Sequence, residues 1–99
     1  MSDEKPITVQ ILESDYRVAC PADEKDALLT AAQYLNDTML GIRDTGKVLG
    51  SERIAVMAAL NISYELLNTR RQAAQVENAL RQRAEELLQQ LDAVLNVQQ

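Results

Sequence analysis

The sequence predicts an α+β chain that is mostly helical: an N-terminal β-hairpin and a short helix, packed on a long C-terminal helix that forms an intermolecular coiled coil. Three observations predict it. Apolar and polar residues alternate in two short runs near the N-terminus. No Gly or Pro interrupts the chain from Ser51 onward. An apolar stripe continues along the final third of the chain, past the point where the preceding elements could cover it.

Residues 1–6 are polar and read as a flexible N-terminus. In Ile7-Thr8-Val9-Gln10-Ile11-Leu12 the residues Ile7, Val9 and Ile11 share one face, which is a strand pattern. Glu13-Ser14-Asp15 reads as the turn, and Tyr16, Val18 and Cys20 share a face of a second strand. Two strands alone are marginal in water, so this hairpin needs a surface to lie on. Pro21 ends the second strand and suits the start of a helix, with Asp23 and Glu24 at the positive end of its dipole. Leu28, Ala31, Ala32, Leu35, Met39 and Ile42 then mark one helical face, and Arg43 sits where cations are favoured. The stretch from Asp44 to Gly50 is a glycine-punctuated loop.

Ser51 is the expected N-cap of the second helix, which is rich in Ala, Leu, Glu, Gln and Arg and would run roughly 70 Å against roughly 30 Å for the first. The run Ile54-Ala55-Val56-Met57-Ala58-Ala59-Leu60 is apolar all round, and such a helix must be buried all round. One intrachain helix and one hairpin cannot surround it, whereas a symmetric dimer of heads can. Ile54, Met57, Ala58, Leu60, Asn61 and Tyr64 are the expected dimer core. Asn61 there reads either as a buried amide that fixes register or as a partly exposed edge. Further along, Ala73, Val76, Leu80, Ala84, Leu87, Leu91 and Val94 follow steps of three and four, a heptad seam with one stutter. Leu88 and Leu95 widen it, and Glu77–Arg81 and Arg81–Glu85 are i,i+4 pairs on the outer face. Nothing later in the chain can bury this seam, and the simplest partner is a second copy. The expected organisation is therefore a head over residues 7–67 and a coiled-coil helix over 68–99.

Composition removes whole classes of function. His is absent and Cys20 is the one cysteine, so there is no Ser–His–Asp set, no Cys–His pair and no tetrahedral zinc set. No enzyme activity, metal or cofactor is expected. A lone cysteine suits a reducing cytosol, and Cys20 reads as a small core hydrophobe rather than a reactive thiol. The net charge is −5. Residues 1–50 carry nine acids against five bases, and from Arg70 onward the charges balance. No segment is a basic arm, which disfavours nucleic acid and anionic membranes. Arg70-Arg71 reads as helix solvation. No apolar run has the length of a membrane span or the form of a signal peptide, so cytoplasmic residence is expected. Arg43, Lys47, Glu52 and Arg53 gather around the interhelical loop, either as dipole complement and solvation or as a charged patch for a protein partner.

The run from Glu52 through Ile54, Met57, Asn61 and Tyr64 to Leu66 resembles the most recognisable stretch of the ZapA family of bacterial cell-division proteins. The strand Val9-Gln10-Ile11-Leu12 and the Cys20-Pro21 junction resemble it too, so the likeness covers roughly residues 7–67 well. It implies a non-enzymatic adaptor that binds FtsZ, the tubulin-like GTPase of the division ring, and cross-links or bundles its filaments at mid-cell. It also implies dimerisation through the head and pairing of dimers into antiparallel tetramers along the long helices. By position, the charged contact residues implied for FtsZ are Arg43, Lys47 and Glu52. The resemblance implies the turn after the first strand as a further contact candidate, where a basic residue is expected and the sequence reads Glu13-Ser14-Asp15. Ala84 lies on the seam implied for the tetramer. Two rivals remain: a prefoldin-like chaperone, which holds unfolded clients at helix tips, and a helix–turn–helix regulator, which the acidic head opposes.

Overall fold

The structure, a computed structural model, describes residues 4–97. Strand β1 (Glu4–Ile11) pairs antiparallel with β2 (Ser14–Pro21), from Glu4 opposite Pro21 to Ile11 opposite Ser14. This register sets Ile7 across from Val18 and Val9 across from Tyr16, so both apolar alternations fall on one face of the hairpin. Val9 and Cys20 are buried there.

Two boundaries differ from expectation. The flexible segment was expected over residues 1–6; its first three residues lie outside the described ones, and Glu4, Lys5 and Pro6 belong to β1. Backbone partners at Pro21, Cys20 and Ala19 extend the ladder whatever the polarity of the side chains. The turn is Leu12-Glu13, and Ser14 and Asp15 are already in β2. Leu12 takes φ 55°, a region that favours glycine and costs a leucine about 1–3 kcal/mol. Two restraints hold it: its N–H donates to Asn36 Oδ1 at 2.6 Å, and its side chain packs at the edge of the core.

Pro21 closes β2 at φ −57° and ψ 143°, and a 3₁₀ turn over Ala22–Glu24 intervenes before helix α1 (Lys25–Asp44). Asp23 and Glu24 therefore lie in that turn, and Asp26 is the acid in the first turn of α1. The hairpin lies on α1. The C-terminus of α1 is closed by Thr45: its N–H and its Oγ1 both donate to the Ile42 carbonyl, at 3.2 and 2.7 Å. Gly46 follows at φ 70°, with its N–H donating to the Arg43 carbonyl at 3.0 Å.

Helix α2 (Ser51–Val97) is 47 residues long. Its first helical hydrogen bond runs from Ile54 N–H to the Gly50 carbonyl at 3.0 Å, so Gly50 caps the helix and Ser51 is its first turn. Gly50 has φ 90°, open to glycine and strained for serine, which is why the cap falls one residue earlier than expected. The chain divides into two units, one ending at Asn61 and one starting at Ile62. The core of the first unit sits where the C-terminal half of α1 meets the first turns of α2. Met39, Ile54 and Ala58 are buried at its centre, and Leu35, Ile42 and Val48 pack around them. Each large side chain buried there contributes about 1.5–3 kcal/mol. Among the described residues no helix is long and apolar enough to cross a membrane.

Candidate functional site

The loop between α1 and α2 is ordered by its own chemistry. Beyond the Thr45 cap, Lys47 N–H donates to Thr45 Oγ1 at 3.2 Å, and Val48 turns into the core beside Met39 and Ile54. Lys47, Glu52 and Arg53 are exposed and line one groove of about 700 Å³ over the start of α2. Arg43 stands apart from them. In the last turn of α1, its Nη1 donates to Glu13 Oε1 at 2.5 Å, tying the hairpin turn to the helix end. That hydrogen bond, with the guanidinium charge adding to it, lowers the Glu13 pKa from the ordinary carboxylate value. So the structure gathers Lys47 and Glu52 on one groove and gives Arg43 an intramolecular partner that charge spacing did not reveal. The register that brings Glu13 to Arg43 depends on where the turn falls, and sequence reasoning set that turn one residue late.

The expected dimer core separates into two sets. Ile54 and Ala58, at 3% and 0% exposure, belong to the chain's own core and have no surface left for a partner. The physical reason is that α1 already covers this side of α2. Met57, Leu60, Asn61 and Tyr64 are exposed, as is Val56. The run 54–60 is thus half covered by its own chain, and Asn61 is exposed in the single chain. A second apolar surface opens beside the core. Hairpin residues Val9, Tyr16 and Val18, α1 residues Leu28 and Leu35, and Ala55 of α2 line an open groove of about 780 Å³.

Ala73, Val76, Leu80, Ala84, Leu87, Leu91 and Val94 are all exposed in the single chain, as are Leu88 and Leu95. On the outer face Arg81 pairs with Glu77 at 3.2 Å. The expected Arg81–Glu85 pair does not form, and Arg83 pairs with Glu86 at 3.4 Å.

Among the described residues no cluster of His, Cys, Asp and Glu could hold a metal ion. Cys20 is a buried free thiol, and burial, with Glu24, Asp23 and Glu4 adding negative charge, pushes its pKa up. That is the opposite of an activated nucleophile.

This arrangement has known counterparts. A sequence profile of the family described as "Cell division protein ZapA" matches residues 7–91. A curated relative from Pseudomonas aeruginosa PAO1, "Cell division protein ZapA", is 45% identical over 95 residues, covering 96% of this chain and 91% of the relative. A solved structure, "Unknown conserved bacterial protein from Pseudomonas aeruginosa PAO1", superposes with a TM-score of 0.72 at 46% identity. It covers 88% of this chain and 96% of that one. The hairpin, short helix and long helix are therefore a shared fold, and the chain belongs to the ZapA family of cell division proteins.

Proposed function

We propose that this chain is a non-enzymatic cell-division adaptor that binds FtsZ and cross-links or bundles its filaments at the division ring, working as a dimer whose long helices pair into an antiparallel tetramer. Family membership supports the division role and the partner. The observation that carries the bridging mechanism is the distal stripe from Ala73 to Val94, which leaves every one of its apolar side chains exposed. Burial of each Leu or Val is worth about 1.5–3 kcal/mol, so the stripe favours association with a like stripe. Met57, Leu60 and Tyr64, together with the open groove over the hairpin and α1, are the surfaces the head offers to a second head. Arg43, Lys47 and Glu52 contact the filament. Two head pairs on one tetramer raise avidity without requiring a strong individual contact. The protein acts in the cytoplasm at mid-cell.

Co-sedimentation with polymerised FtsZ tests this reading. The wild type pellets with filaments and thickens them into bundles under the electron microscope, and Lys47→Gln pellets less. A wild-type protein that stays in the supernatant at every concentration contradicts it.

A further inference from the structure

The most exposed large apolar side chain among the described residues is not on the seam or in the grooves' walls of the hairpin. It is Leu49, 79% exposed in the loop between α1 and α2. Its position is imposed rather than accidental. Val48 is drawn into the core, Gly46 and Gly50 turn the chain on either side at φ 70° and 90°, and the Thr45 hydroxyl holds the loop backbone at Lys47. With Val48 inward, Leu49 faces out. A preformed loop that presents an apolar tip loses little conformational freedom on binding.

The charges around it select the occupant. Leu49, Lys47, Arg53 and Val56 line the same groove. Neither Lys47 nor Arg53 makes an ion pair among the described residues, in a chain whose net charge is −5. Glu52 shares the groove, leaving two cations against one acid, while Arg43, outside it, is engaged by Glu13. We propose that Leu49, flanked by Lys47 and Arg53, is the apolar anchor of a docking surface for an acidic segment of a partner protein. That segment places an apolar side chain in the groove and carboxylates on the two cations. A second copy of this chain does not fit. A two-fold contact would bring together two grooves that each carry two cations against one acid, and like net charges across an interface are repelled. The inference rests on the adaptor reading and adds to its charged loop the burial that charge alone does not supply.

The test uses the full chain with Leu49→Ser and Arg53→Gln. Polymerised FtsZ serves as the acidic-partner probe, vesicles of anionic phospholipid as the lipid probe, and sedimentation velocity as the monitor of self-assembly. Leu49→Ser should weaken filament binding about ten-fold or more and Arg53→Gln about three-fold, both with unchanged circular dichroism and sedimentation. Wild-type protein that pellets while Leu49→Ser pellets equally well overturns this inference and leaves the adaptor reading standing. Wild-type protein that does not pellet overturns the adaptor reading itself. A changed oligomeric state in Leu49→Ser, or vesicle binding that Leu49→Ser abolishes, assigns the surface to a second copy or to lipid and overturns the inference.

Discussion

Helix α2 uses the same kinds of side chain before and after Asn61, and they meet opposite fates. Ala58 is fully buried beside Met39, whereas Ala84, also on an apolar stripe, is exposed. Ile54 is 3% exposed and Leu87 50%. Helix propensity does not separate the two regions, because both are uninterrupted helix, although the first run is apolar all round and the second carries one apolar stripe. What separates them is cover: α1 residues pack against Ile54 and Ala58, whereas the apolar residues of the later stripe are exposed. Residue pattern tells that a face must be covered, and the length of the neighbouring elements tells whether the cover is internal.

Substitutions on each side of Asn61 can break that contrast. The largest loss of stability is expected from Ile54→Ala, which opens a cavity in a small core and should cost about 2–5 kcal/mol in urea unfolding of the assembled protein. A cost near zero would mean that Ile54 is not core. Leu87→Glu should leave the head folded and the dimer intact while abolishing tetramers and bundling. Tetramers that persist in a sedimentation experiment would remove the seam from the assembly. The smallest effect belongs to the exposed Glu13–Arg43 pair, where Glu13→Gln should shift the unfolding midpoint only slightly. Because Arg43 lowers the Glu13 pKa, the pair's contribution is complete above the ordinary carboxylate range and is lost as pH falls through the depressed value. The gap between wild type and Glu13→Gln should therefore close as pH falls through and below the ordinary carboxylate range, and a gap that widens in acid contradicts the assignment.

Much of this was readable in the residues. The alternation at Ile7, Val9 and Ile11 gave one strand and that at Tyr16, Val18 and Cys20 the other, since a period of two has few other readings. The same holds for the face Leu28, Leu35, Met39 and the unbroken second helix. Boundaries were less legible. Glu4, Lys5 and Pro6 join β1 through backbone pairing, to which their side chains give no clue. Gly50 takes the cap from Ser51 through its backbone conformation rather than through a side-chain oxygen. In the site, the apolar run 54–60 did not tell which side of its helix the chain itself covers; that required knowing that α1 packs on Ile54 and Ala58. The Glu13–Arg43 contact was hidden for the same reason, as it depends on a tertiary register between a turn and a helix end.

Sedimentation equilibrium of the purified wild-type chain over a wide range of concentration tests the central claim most directly. On the proposed reading the exposed stripe from Ala73 to Val94 is covered by other copies, so the mass should rise from dimer toward tetramer as concentration increases. A well-folded chain that keeps the mass of one subunit at the highest concentration would contradict it.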